Sequence, residues 1–173
     1  MASAEVNFDL REIDSLAELL NKAKLSSQDR SRLLINIGGI VEEQIQERFD
    51  AQQDPEGNPW EQLAQKTRDY YTSNGMGHGS LLNQSGMLRE SVESQVDDWS
   101  VLVGATMEYA AIHQFGGEIR PKTKQALSVP GYGKLKKVTI PARPYLGIST
   151  SNAEGIMRVT QEFLAQRITE MAS

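Results

Sequence analysis

Between Leu33 and Phe49 the residues Leu33, Leu34, Ile37, Ile40, Val41, Ile45 and Phe49 recur at helical spacing, an apolar stripe roughly five turns long. Whatever else the chain does, it has to cover that face. The "SSQD" at positions 26–29 supplies an N-cap serine with an acid just behind it, so the spacing predicts a helix beginning there. Gly38-Gly39 interrupts the stripe at a cost of about 1 kcal/mol each relative to alanine. A close helix crossing is the reading adopted for the pair, with a hinge as the alternative.

The cover has to come from packing or from assembly, because 173 residues without a single cysteine exclude disulfides, iron–sulfur clusters and thiolate zinc sites. A chain of this length is expected to form one domain, residues 1–173, with a helical part over 1–49 and the remainder over 50–173. With 39% hydrophobic and 24% charged residues it has the composition of a folded chain. It contains no apolar run of about 18 residues, and "MASAEVNFDLREI" has neither a basic nor an apolar leader region. No membrane contact is expected, and the missing cysteines fit a reducing cytoplasm. The net charge of −5 and a pI near 5.1 repel nucleic acid overall, so any contact with DNA has to be local.

Along the chain, "LREIDSLAELLNKAK" (10–24) reads as a short amphipathic helix ahead of the long one. "DAQQDPEGNP" breaks the helix, and "WEQLAQKTRDYY" resumes one in which Trp60, Leu63, Ala64, Thr67 and Tyr71 share a face. "TSNGMGHGS" is a glycine-rich loop. Val92, Ser94 and Val96, then Trp99, Val101 and Val103, alternate on either side of Asp97-Asp98, which predicts an antiparallel hairpin. "TMEYAAIHQF" is a short helix stopped at Gly116-Gly117. The segment from about 118 to 140 reads as a long hairpin arm around "PGYGKLKK", and a last helix carries Ile156, Val159, Phe163, Leu164 and Ile168 on one face. The class is α+β: N-terminal helices, a small antiparallel sheet with the arm, and a C-terminal helix.

Two readings are open for His113 in "YAAIHQF", a general base or a hydrogen-bonded histidine at a packed helix end. A base needs a nucleophile and an orienting partner, and neither is evident. His78 in "GMGHGS" lacks companions at metal-ligand spacing, and HExxH, phosphate-loop and dinucleotide-loop patterns are missing. "NQSGML" lacks the first glycine of a nucleophile elbow. The carboxylates of "VEEQIQERFD" alternate with the apolar stripe, as a solvated face does. No catalytic residue, metal or cofactor is assigned. Arg120, Lys122, Lys124, Lys134, Lys136 and Lys137 all fall in the arm, with no acid between Arg120 and Lys137. Such an arm either meets an acidic neighbour or a phosphate backbone, or carries its charge to keep exposed strand edges apart.

Taken together, "DPEGNPWEQLAQKT", "LNQSGMLRESV", "VLVGATMEYAAIHQFGG" and "IPARPYLGIS" resemble the phage virion morphogenesis family, the tail-completion or neck proteins of Mu-type and related contractile-tailed phages and prophages. The resemblance runs from about Asp50 to Phe163. It implies a structural subunit with no catalytic activity, assembling as a ring at the junction of head and tail. Its partners would be itself, the tail tube or terminator and the head connector. Its places would be the host cytoplasm during assembly and then the tail or neck. An assembly chaperone that leaves before the virion is finished is the alternative, and a hydrolase using His113 a further one. In "PARPYLG", Pro141 and Pro144 hold the chain extended, and Arg143 between them is a forked cation suited to grip a carboxylate of its own or a neighbouring subunit. Subunit contacts are expected at Tyr109, His113, Phe115, Arg143 and Tyr145 together with the six arm cations. The arm is expected to lie on another subunit or to stay mobile until it does.

Overall fold

A computed structural model describes residues 4–9, 23, 25–77 and 80–171. The helix expected over 10–24 lies outside the described residues except for Ala23 and Leu25, and so does His78. In chain order the elements are strand β1 (Ala4–Asp9), helix α1 (Ser27–Ala51), α2 (Gln65–Ser73), α3 (Met87–Glu90), β2 (Val92–Val96), β3 (Ser100–Ala105) and α4 (Ala110–Phe115). Then follow β4 (Gly117–Ile119), β5 (Leu127–Val129), β6 (Gly133–Leu135), β7 (Val138–Ile140) and α5 (Thr150–Met171). The class is α+β, with long helices near both ends of the chain and small antiparallel sheets between them.

Helix α1 is the axis of the core. The Ser26 side chain accepts from the Asp29 backbone N–H at 3.1 Å and starts the helix. Leu33, Leu34, Ile37, Val41, Ile45 and Phe49 of its stripe are all buried. The cover is a three-stranded antiparallel sheet of order β1-β3-β2 together with α5. In the β2–β3 hairpin, Val92 faces Ala105, Ser94 faces Val103 and Val96 faces Val101, so one side of the ribbon carries the small apolar set that meets α1.

Gly38 lies at the crossing. A Cβ there would come within 2.7 Å of the Ser94 hydroxyl, so the close approach is real, but it is made by a helix on a sheet and not by two helices. Gly39 points to open space, and α1 runs unbroken through both, so there is no hinge. Gly39→Ala should therefore stabilise by about 0.5–1 kcal/mol through helix propensity alone. Gly38→Ala should destabilise by about 1–2 kcal/mol, since overpacking outweighs the same gain. Thermal melts of the two variants against wild type test this, and equal shifts would mean that the crossing is not tightly packed.

Several expectations are corrected. Residues 4–9 form a strand, β1, where the sequence suggested no element. Trp99 sits in the hairpin turn and not on the buried face; it is 41% exposed and lies under the Arg30 guanidinium at 3.9 Å. Trp60 precedes α2, which starts at Gln65 and buries none of its residues. On α5, Ile156 and Leu164 are buried with Thr160 between them, whose hydroxyl donates to the Ile156 carbonyl at 2.8 Å. Ile168 is 68% exposed and does not continue that face.

The arm is a hairpin as expected, with β4 paired to β7 and β5 to β6. Its tip, however, rests on its own chain. Gly131 abuts the Tyr70 ring, the Tyr132 hydroxyl is 2.9 Å from the Thr67 hydroxyl, and the Lys66 ammonium lies 4.8 Å from the Tyr132 ring centroid. The tip thus contacts α2 of its own chain.

Candidate functional site

The segment 141–147, "PARPYLG", belongs to no strand, so its backbone groups must find partners elsewhere. Four consecutive carbonyls find them on side chains. Pro144 O accepts from the Trp60 indole at 2.8 Å, Tyr145 O from Arg48 Nη1 at 2.9 Å, Leu146 O from Gln114 Nε2 at 3.0 Å, and Gly147 O from Arg48 Nη1 at 2.8 Å. The backbone N–H groups of Tyr145 and Leu146 both donate to Gln114 Oε1 at 3.0 Å. Arg48 Nη2 also reaches Asn152 Oδ1 at 2.5 Å, at the start of α5. Asn152 and Ser149 cap that helix reciprocally, with bonds of 3.1 and 3.2 Å.

The result is a buried hub that joins the end of α1, the turn before α2, the helix α4 and the entry to α5. Phe49, Trp60 and Tyr145 pack at its centre, with ring centroids 5.7 Å apart for Phe49–Trp60 and 5.2 Å for Phe49–Tyr145. Burial pushes the Tyr145 phenol above its ordinary pKa, and its hydroxyl has only a long contact, 3.4 Å, to the Ala110 carbonyl. Gly116 turns α4 directly into β4 and has the Ala142 backbone against it. Gly147 packs in the same way against Pro55.

These contacts divide the residues expected at subunit contacts into two groups. Arg143 and Tyr145 are interior residues, 5% and 0% exposed. Arg143 grips no carboxylate among the described residues. Its guanidinium donates to the carbonyls of Glu61 at 2.7 Å and Gln62 at 3.4 Å, and its own N–H donates to the His113 carbonyl at 2.8 Å. The fork therefore fastens two loops of its own chain, because the turn after Trp60 brings bare carbonyls nearer than any acid.

The others are outside or at the rim. Tyr109 is 37%, Phe115 66% and Ile119 on β4 39% exposed. Arg120 and Lys137 both clamp Glu118, at 2.5 and 2.6 Å, and hold its carboxyl below the usual range. Lys122, Lys124 and Lys134 line an open groove of about 700 Å³, and Lys136 is exposed beside it. A second cleft, about 470 Å³, lies between the end of α1, the 53–57 turn and the start of α5, where Glu47, Asp54 and Glu56 line it together with the single cation Arg48.

His113 is half-buried, edge-on to Tyr109 at 5.9 Å between ring centroids, and its Nδ1 makes no hydrogen bond with any described residue. Burial first, and the nearby Arg143 charge second, push its pKa below the ordinary histidine value of 6.5. A general base would need an orienting carboxylate, and the charge that acts on this ring is a cation. Because the folded pKa is lowered, the unfolded chain binds more protons between that value and 6.5, so stability falls as the pH drops through this window. Wild type should melt lower at pH 5.5 than at pH 7.5, and His113→Gln should flatten that difference; an unchanged slope would assign it to other groups. Among the described residues no three His, Cys, Asp or Glu side chains gather as a metal site.

Arg48, Gln114 and Trp60 were not singled out from the sequence as partners of "PARPYLG". One signal was present: Arg48 falls on the apolar face, seven residues after Val41 and three after Ile45, where a charge has to be neutralised or bonded inside.

The model of the phage virion morphogenesis family matches residues 11–165, which extends the resemblance N-terminally through α1. A Mu-like prophage protein of Haemophilus influenzae, FluMu G protein 2, is 29% identical over 164 residues, covering 94% of this chain and 96% of its own. A protein of Escherichia phage Mu provisionally named capsid assembly protein G is 29% identical over 112 residues, 64% of each chain. FluMu G protein 1 of the same Haemophilus strain is 24% identical over 135 residues, 78% of this chain and 79% of its own. No solved structure is matched.

Proposed function

Because the chain belongs to the phage virion morphogenesis family, we propose that it is a structural subunit that completes the tail or joins head to tail, working as a ring at the neck. The observation that carries this reading is the placement of Phe115. It is 66% exposed at the end of a helix whose neighbour Gln114 is locked into the hub, so a rigid base presents an apolar side chain to solvent. Exposed aromatic residues on rigid supports are the usual anchors of protein contacts. The basic arm adds charge that a partner can read. Trp60, Gln114 and Arg143 of these motifs donate to backbone carbonyls, which suits a structural part for them. The partners in this reading are further copies of the chain, the tail tube or terminator and the head connector; the subunit assembles in the host cytoplasm and ends in the neck.

Disrupting the gene in an inducible prophage and imaging the lysate tests the proposal. Filled heads and full-length tails that stay apart are expected. Normal joined particles would overturn it, and loss of capsids would favour the role that the phage Mu relative's name suggests. Detecting the chain in purified particles separates a resident subunit from a chaperone that departs.

A further inference from the structure

Resting on the ring reading, we propose that the basic groove of the arm in one copy seats against the carboxylate-lined cleft of the next copy, a head-to-tail contact between two different surfaces. Charge separation within the chain is the starting point. Residues 118–137 hold six cations against the single carboxylate of Glu118, a net of +5, which leaves −10 on the rest of a chain whose total is −5. Glu118 is already taken by Arg120 and Lys137. Lys122, Lys124 and Lys134 surround the open groove, which no carboxylate lines, and none of the three forms an ion pair with any described residue.

The complement is on the same molecule at another place. Glu47 and Glu56 are exposed at the 470 Å³ cleft and also form no ion pair with any described residue. The arm cannot bring its lysines there while its tip is held on α2 by Tyr132 and Gly131. The two unpaired sets can meet only between copies. Arm against arm would repel, whereas arm against cleft brings opposite charges together from two distinct patches, and such a contact repeated from copy to copy propagates around a ring. A nucleic acid duplex is the poorer occupant, since the remaining −10 of charge opposes its phosphates.

Full-length protein, mixed from normal and isotope-labelled stocks, can be treated with a zero-length carbodiimide. Cross-links between Lys122, Lys124 or Lys134 of one isotope and Glu47 or Glu56 of the other are expected, and they should fade in about 0.5 M salt. Reversing the groove (K122E/K124E/K134E) or the cleft (E47K/E56K) should each weaken association about tenfold or more in light scattering, with melts unchanged because these side chains are exposed. Mixing the two variants, or combining all five substitutions, should restore it. An oligomer that survives groove reversal would overturn this contact and leave the ring standing. A wild type that is monomeric at every concentration would overturn both. Retained assembly with loss of binding to a 30-base-pair duplex would reassign the groove to nucleic acid and overturn the contact.

Discussion

Arg48→Ala should lower the melting temperature by about 10 °C. The guanidinium serves three acceptors at once, Tyr145 O, Gly147 O and Asn152 Oδ1, the first buried and the other two part-buried, and it is 4% exposed itself. A buried acceptor left without its donor costs about 1–3 kcal/mol, and with the two part-buried acceptors and the lost packing of the side chain the loss comes to about 3–5 kcal/mol. Arg48→Lys should recover less than half, because a single ammonium cannot span a planar fork's acceptors. Asn152→Ala, which removes one acceptor and part of a helix cap, should cost only about 1–2 kcal/mol. If Arg48→Ala melted within about 2 °C of wild type, packing of Phe49, Trp60 and Tyr145 would be holding the segment without the hydrogen bonds.

Gly116→Ala should be nearly as damaging, for a different reason. The backbone there has φ 67° and ψ −176°, a region almost confined to glycine, and strain of this kind costs about 1–3 kcal/mol. In addition a Cβ would stand 2.7 Å from Ala142 N and 3.0 Å from Ile140 O, both backbone atoms of the paired segment, which have little freedom to retreat. A total loss of about 3 kcal/mol or more is expected, together with a looser β4–β7 pair and a displaced Phe115 edge. Gly57→Ala is the control. Its φ is 84° but no atom lies within 4 Å, so it should lose only the conformational part, about 1 kcal/mol. Equal melts for the two variants would mean that the close approach at Gly116 carries no energy, and the arm's anchoring would need another cause.

Elements with strong periodicity were legible. The α1 stripe, the hairpin around Asp97-Asp98, the stop of α4 at Gly116 and the hairpin arm all follow from spacing and turn residues. What misled was local pattern that another part of the chain overrides. Trp60 is spaced from Leu63, Ala64 and Thr67 like a helix face, but the indole is worth more in the hub, where it is 3% exposed and donates to Pro144. Arg143 was expected to grip a carboxylate. Its acceptors are carbonyls 81 and 82 residues away, and no local rule names them.

From residue order alone follow the class, the amphipathic spine, the basic arm and the family, since each depends on periodicity, charge or short motifs carried within a few turns of chain. The hub, the split of the motif residues into interior fasteners and an exposed Phe115 edge, and the docking of the arm tip on α2 were decided by the tertiary fold. The physical reason is that a buried carbonyl takes whichever donor packing brings within about 3 Å. For Gly147 that donor is Arg48, 99 positions earlier.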